Sequence, residues 1–503
     1  MIFSAGSQRE TEGLAKALSL FAKPGFAVLL KGDLGSGKST FARAFIKALA
    51  QGNAEFDVPS PSFALIQTYD NTRLPVAHVD LYRLRAEAEI DELGLAELTK
   101  THILLIEWPT PAAEAIVVDK LSLEFSGSGE ARDIKIKGSG AWIPALKRNV
   151  EIEAFLAAQG VDPASRHVLD GDASSRRYES VKLGARDVIL MDMPQRPDGP
   201  PVKDGKPYSA IAHLAEGLPA VVAINDGLLQ RGFGVPEIYA CDLQHGLALI
   251  ENLGHDVFYN MFRRGDDMEV PMRAAVEVLA EMASQPWPHQ LKNRDGSIYS
   301  LPSYDTEAQL IEVDLLPSWF HRHVHKTEAP AQLNESFANA WARILPLTVV
   351  ERPVWVLRDY HSPNLLWLPA REGLKRVGLI DTQDALLGHP AYDLASMLQD
   401  ARTDIDFAFA DGLYAHYVNL RHAQGPFDEA EFAQAYAILG AQRATKILGI
   451  FARLNMRDGK PQYLQHMPRV SRYLARGLQH PSLAGVKSWF ETHMPAALEV
   501  GKA

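Results

Sequence analysis

The sequence has one cysteine, Cys241, in 503 residues. No disulfide framework and no zinc site built on several cysteines is possible, and a reducing cytoplasm is the expected setting. An excess of basic residues is also missing. The chain has 51 Lys and Arg against 62 Asp and Glu, a formal charge of −11. Residues 1–150 carry 17 Lys and Arg against 18 Asp and Glu, so nearly all of that charge falls on the remainder. Neither part has the positive balance that direct nucleic-acid binding needs, so any link to RNA must run through partner proteins or a local patch. No uncharged apolar stretch is long enough to span a bilayer, so no membrane association is expected. Residues 1–10 do not read as a secretory leader. Internal repeats and low-complexity tracts are absent. What remains is an ordinary globular composition, 47% hydrophobic and 22% charged. The length suggests about two to four domains.

The strongest positive signal is Gly32-Asp33-Leu34-Gly35-Ser36-Gly37-Lys38-Ser39-Thr40. It fits G-x-x-x-x-G-K-[ST], follows a strand-like run at 26–30 and precedes a helix-like segment at 41–50, the context this motif requires. Gly32, Gly35 and Gly37 let backbone N–H groups close on phosphate oxygens, and the helix N-terminus adds its positive end. Lys38 is placed to reach the β- and γ-phosphates of ATP, and the Ser39 hydroxyl to ligate Mg²⁺. Asp80 ends the apolar run 75–79, and Glu107 ends the run 103–106. Ligands of open α/β sheets sit beyond the carboxyl ends of strands. A carboxylate there holds Mg²⁺ or orients an attacking water. Trp108 reads equally as a packed strand end or a nucleotide neighbour. Ser60-Pro61-Ser62-Phe63 reads equally as a plain turn or a γ-phosphate sensor.

Residues 1–125 alternate helix-like and strand-like runs, which predicts a parallel sheet with helices on its faces. A hairpin is expected between 121–125 and 133–137, and Gly138-Ser139-Gly140 breaks the pattern. A linker is placed at 141–149. A helix at 150–159 and paired strands at 167–169, 178–183 and 188–193 follow. Residues 194–206, rich in Pro, Gly and charge, read as a mobile loop. From 268 onward helical patterns dominate, interrupted at 354–368 and 377–381. A small β-rich part before a large helical part predicts a two-lobed α+β domain.

That domain carries Arg358-Asp359-Tyr360-His361-Ser362-Pro363-Asn364, with Asp381 ending the run 377–380. An Asp-x₄-Asn loop and a later strand-end Asp form a phosphoryl-transfer constellation. Asp359 can accept the proton of an attacking hydroxyl, while Asn364 and Asp381 can hold Mg²⁺. The plainer alternative is a structural loop. A metal site on His361 and His389 lacks any further ligand at suitable spacing.

The phosphate loop occurs in order with Ser60-Pro61-Ser62-Phe63, His78-Val79-Asp80-Leu81-Tyr82-Arg83-Leu84 and Ile106-Glu107-Trp108-Pro109. Together these resemble TsaE, the ATPase subunit of the bacterial machinery making N6-threonylcarbamoyladenosine in tRNA, over about residues 1–140. The resemblance implies an α/β P-loop NTPase whose ATP hydrolysis resets a complex with TsaB and TsaD, with tRNA met only indirectly. It implies Lys38, Ser39 and Thr40 on phosphate and Mg²⁺, Glu107 as a metal ligand and Asp80 near the metal. Trp108 and Arg132 would lie near the nucleotide, and Thr11 near the adenine. Ser62 stands where many relatives have Thr. The rival is a general P-loop NTPase or kinase without a role in tRNA modification.

Further on stand Gly171-Asp172-Ala173-Ser174-Ser175-Arg176-Arg177-Tyr178, Leu190-Met191-Asp192-Met193-Pro194 and Glu251-Asn252-Leu253-Gly254. With the Asp359 loop, Ile380-Asp381-Thr382-Gln383-Asp384-Ala385, Tyr392-Asp393-Leu394-Ala395-Ser396 and residues 446–454 and 457–460, they resemble the aminoglycoside phosphotransferase-like kinases. The match spans about residues 150–490, within a domain placed at 150–503. Within that family it is most similar to the anomeric kinases of N-acetylmuramate and N-acetylglucosamine in cell-wall recycling. The resemblance implies a protein-kinase-like fold and an amino-sugar substrate. Asp359 would be the base, with Asn364 and Asp381 holding metal. Ser174, Arg176 and Arg177 would lie over the phosphates, and Glu251 to Leu253 would line the adenine pocket. Two departures stand out. Leu357 replaces a His common before Arg-Asp, and the strand at 188–193 has no phosphate-pairing lysine. Arg176, Arg177 or Lys182 are the substitutes at hand. Choline, homoserine or an aminoglycoside as acceptor stays open, as does a non-catalytic nucleotide-binding module.

Overall fold

The computed structural model describes residues 1–50, 57–59, 61, 64–84, 89–127, 129–169, 176–215 and 217–500. They fall into two units, Met1–Asp192 and Met193–Ala503.

The first unit is built on strands β1 (Ile2–Ala5), β2 (Ala27–Lys31), β3 (Ile66–Tyr69), β4 (Val76–Asp80), β5 (Ile103–Glu107), β6 (Lys120–Ser126) and β7 (Arg132–Gly138). Their order in the sheet is β1-β7-β6-β2-β5-β4-β3. The centre is parallel as expected: β2 pairs with β5 and β6, and β4 with β5. β1, β3 and β7 pair antiparallel at the flanks. β4 and β5 are buried along their whole length, which explains their unbroken apolar runs. Helix α1 (Gln8–Ser19) packs on α2 (Lys38–Leu49), which starts at the phosphate loop. Beyond the sheet, β8 (His167–Leu169), β9 (Arg177–Leu183) and β10 (Arg186–Asp192) form an antiparallel meander.

Two expectations are corrected. The helix expected at 150–159 begins earlier and runs from Trp142 to Ala158, through the segment placed as a linker. Trp142 is fully buried, its ring 5.1 Å from that of Phe26, so packing fixes the helix start. Residues 194–206 are not plain loop. They hold most of a small hairpin of β11 (Pro201–Lys203) and β12 (Lys206–Pro207), turned at Asp204-Gly205 with both φ angles positive. Asp-Gly is a strong hairpin-turn signal that the Pro and Gly content had masked.

In the second unit, a hairpin of β13 (Ile238–Asp242) and β14 (Leu247–Glu251) precedes a helical body. A 30-residue helix, Glu429–Asp458, runs through this body. A Cβ at Gly449 would lie 2.4 Å from the Leu315 carbonyl carbon, so glycine alone allows this approach. Two short antiparallel ladders lie beside the helices. Val354–Val356 pairs with Leu386–Gly388, and Leu365–Trp367 pairs with Val377–Leu379. Among the described residues no helix is long and apolar enough to cross a membrane.

Candidate functional site

The phosphate loop closes on the ends of three parallel strands. Gly32 has φ +136°, and a Cβ there would stand 2.5 Å from the Phe125 carbonyl oxygen, so the turn admits no side chain. Lys38 folds back and donates to the carbonyls of Gly32 at 2.8 Å and Asp33 at 2.7 Å. Its Nζ also lies 3.7 Å from the Trp108 ring centroid. Burial lowers the Lys38 pKa, opposed by Glu107, Asp33 and Asp80. The β4–β5 register places Asp80 directly beside Glu107. One Glu107 oxygen accepts from Ser39 Oγ at 2.8 Å, and the other lies 2.9 Å from His78 Nε2. Arg132 donates from Nε to the Ser36 carbonyl at 2.6 Å and braces the loop from behind. A cavity of about 400 Å³ is lined by the loop from Leu34 to Thr40, Asp80, Tyr82, Arg83, Glu107, Trp108 and Arg132.

In the second unit, the ladder pairing Leu365 with Leu379 puts Asn364 and Ile380 at one end, where the Ile380 N–H donates to the Asn364 carbonyl at 3.1 Å. Asn364 and Asp381, 17 residues apart in sequence, are thereby neighbours. Asn364 Nδ2 donates to the Asp359 carbonyl at 3.1 Å, closing the loop. Arg358 and Asp381 both have positive φ, 67° and 58°. Non-glycine residues hold that conformation at a cost, and functional loops are where it collects. Asp393 holds the approach to Asp359, accepting the backbone N–H groups of Leu357 at 2.6 Å and Arg358 at 2.9 Å. Burial raises the Asp393 carboxyl to about 7, against those donors. The Asp359 carboxylate reaches solvent. Desolvation opposes its charge, but His361, Lys446, Arg358 and Arg443 outweigh that and hold it below the usual aspartate value.

Behind the loop lies a network that the sequence reading missed. Glu312 is fully buried, ion-paired to Arg358, and accepts from Lys446 Nζ at 2.6 Å, Tyr304 Oη at 2.6 Å and Gln442 Nε2 at 3.0 Å. Burial alone would raise its carboxyl, but Lys446 and Arg358 hold it at about 2. Its stabilisation is therefore fully present above the ordinary glutamate range and is lost as pH falls toward 2. Glu312→Ala strands two buried cations, and its expected cost is about 3–5 kcal/mol. Urea unfolding checks this, and an unchanged midpoint would contradict it.

Most expected residues fall into these two places. Gly35, Gly37, Lys38, Ser39, Thr40, Asp80, Glu107, Trp108 and Arg132 line the first cavity; Asp359, Asn364 and Asp381 meet in the second unit. Thr11 is buried on α1 and is not among the residues lining the first cavity. Glu251 ends β14, where Arg371 reaches it at 2.5 Å, and Leu253 packs toward Gly378. Arg177 pairs with Glu179 and lies 4.0 Å over the Phe21 ring, while Lys182 pairs with Asp187 across an exposed hairpin. Those two cations are thus already engaged. The lysine-free strand β10 ends at Asp192, which binds Arg148 at 2.7 Å. Ser60, Ser62, Phe63 and Ser174, with Gly171 to Ser175 as a whole, lie outside the described residues. Both His389 ring nitrogens are used, by Glu431 and the Ala391 N–H, which makes it structural. His78 and Tyr82 were not singled out as site residues. Their signal was proximity to Asp80 on one strand end.

A phosphate loop on a parallel sheet and, in the second unit, an Asp-Asn-Asp cluster at one ladder end fit two nucleotide-using enzymes in one chain. Residues 5–134 match the family model of the threonylcarbamoyl adenosine biosynthesis protein TsaE, and residues 166–433 match that of the phosphotransferase enzyme family. The chain belongs to both families, joining a TsaE-type ATPase to a kinase. The N-acetylmuramate/N-acetylglucosamine kinase of Caulobacter vibrioides is 37% identical over 358 residues, 69% of this chain and 97% of that protein. The kinase of the same name from Pseudomonas aeruginosa is 31% identical over 333 residues, 64% of this chain and 87% of that protein. The tRNA threonylcarbamoyladenosine biosynthesis protein TsaE of Rickettsia bellii is 43% identical over 116 residues, 22% of this chain and 79% of that protein.

Proposed function

We propose that the second domain, residues 150–503, transfers the γ-phosphoryl group of ATP to the anomeric hydroxyl of N-acetylmuramate or N-acetylglucosamine. Asp359 accepts the hydroxyl proton as the sugar oxygen bonds to the γ-phosphorus. The bond from that phosphorus to the β,γ-bridging oxygen breaks, giving ADP and a sugar 1-phosphate. Asn364 and Asp381 are hard oxygen donors and fit Mg²⁺, which keeps phosphate and water among its ligands. When bound, it would neutralise charge on the phosphates. The observation that carries this reading is the joining of Asp359, Asn364 and Asp381 at one ladder end.

The first domain, residues 1–140, is proposed to hydrolyse ATP for tRNA threonylcarbamoyladenosine formation in a cytoplasmic complex with TsaB and TsaD. Lys38 and the loop amides hold the phosphates, and Asp80 orients water. The hydroxyl of Ser39 and the carboxylate of Glu107 suit Mg²⁺ in the same way, with Arg132 and Trp108 beside the nucleotide. The purified chain with ATP, Mg²⁺ and either sugar should give a sugar 1-phosphate in ³¹P NMR. Only free phosphate would remove the sugar-kinase reading. Failure to co-purify with TsaB and TsaD would favour a stand-alone P-loop NTPase.

A further inference from the structure

The helix Glu429–Asp458 carries four cations, Arg443, Lys446, Arg453 and Arg457. Three have acceptors. Arg443 Nη1 reaches the Gln399 carbonyl at 3.5 Å, Lys446 binds Glu312, and Arg457 forks onto Asp458 at 2.7 and 2.9 Å. Arg453 differs. Its Nε is closed to solvent and has no hydrogen-bond partner. Among the described residues no carboxylate is within ion-pair reach of it. Its aromatic neighbour is Tyr208, whose ring centroid lies 5.7 Å from Cζ. Burial lowers the Arg453 pKa, and Asp458, which acts on it at longer range, is already taken by Arg457. A half-buried guanidinium whose Nε is sealed and unbonded cannot escape that cost by losing a proton. It also offers a planar fork that matches one carboxylate.

Its position says where such an anion comes from. Lys446 and Arg453 are seven residues apart, so they share a helix face and stand about 10 Å apart along the axis. Lys446 acts on Asp359 at one end and on Tyr208 at the other. Tyr208 in turn feels Arg453, Arg358 and Glu312, and is raised to about 12 mainly by burial. The unpaired cation therefore lies two helical turns from the surroundings of the proton acceptor, on the same face.

We propose that Arg453 binds a carboxylate carried by the acceptor sugar, and so favours an amino sugar with a carboxylated ether arm over its neutral counterpart. This rests on the amino-sugar kinase reading. N-acetylmuramate has that arm, and N-acetylglucosamine lacks it.

Steady-state kinetics of the full chain and of Arg453→Gln, with each sugar, test the assignment. For N-acetylmuramate, kcat/KM should fall about 10- to 100-fold, mostly through KM, the effect of losing one charge-assisted contact. N-acetylglucosamine kinetics should stay nearly unchanged, and Arg453→Lys should recover part of the preference. The methyl ester of N-acetylmuramate, used with the unaltered chain, removes the charge from the other side and should raise KM likewise. Equal losses for both sugars in Arg453→Gln, or an ester that performs like the acid, would overturn the proposal alone. An unaltered chain that phosphorylates neither sugar would overturn the amino-sugar reading and this proposal with it.

Discussion

Asp359→Asn lowers phosphoryl transfer to the sugar by about 10²–10⁴-fold in kcat, the range for losing a general base. ATP affinity should change little. The amide keeps the shape of the side chain, and the loop is held by other groups. Asn364 Nδ2 binds the Asp359 backbone carbonyl, and Asp393 holds the Leu357 and Arg358 N–H groups. The variant therefore loses the proton acceptor without losing the loop. His361, Lys446, Arg358 and Arg443 keep the carboxyl ionised to below the usual aspartate range. Any acid limb of kcat from this group should accordingly lie below that range, with activity lost as pH falls. ADP release coupled to sugar addition, alongside ATP binding by calorimetry, reads both quantities. Full transfer in Asp359→Asn would remove it from the role of base.

Lys38→Ala should reduce sugar-independent ATP hydrolysis by about 10²-fold or more, the scale for removing a charge aimed at the reacting phosphate. Sugar phosphorylation should continue. Lys38 has four neighbours to give up when phosphate arrives: two loop carbonyls, the Ser36 hydroxyl and the Trp108 ring. Burial already works against its charge, so an anionic partner gains more from it than from an exposed lysine. Phosphate release without sugar and sugar 1-phosphate formation with sugar separate the two activities. Loss of both together would mean that the two sites depend on each other.

The phosphate loop was legible because its chemistry lies in nine consecutive residues whose backbone makes the site. Asp80 and Glu107 were legible because fully buried parallel strands read as short apolar runs, and the residue after such a run lies at the sheet's functional edge. Asp359, Asn364 and Asp381 were legible through spacing, but their meeting point required the Leu365–Leu379 register. The hairpin at Asp204-Gly205 was written in the sequence and passed over in favour of composition. The helix from Trp142 was hidden because its start is set by burial against Phe26, a contact between residues more than a hundred positions apart.

By itself, then, the sequence determined two nucleotide-using families and the motifs from which their sites are proposed, because these reside in local backbone geometry and strand ends. Only the tertiary structure decided which charges are neutralised. Lys446 and Glu312 meet across 134 residues, and His78 meets Glu107 across 29. Among the described residues Arg453 has no carboxylate within ion-pair reach, and its Nε has no hydrogen-bond partner. Pairing of buried charges follows from which side chains packing brings within a few ångströms, and no period or motif in the chain encodes that.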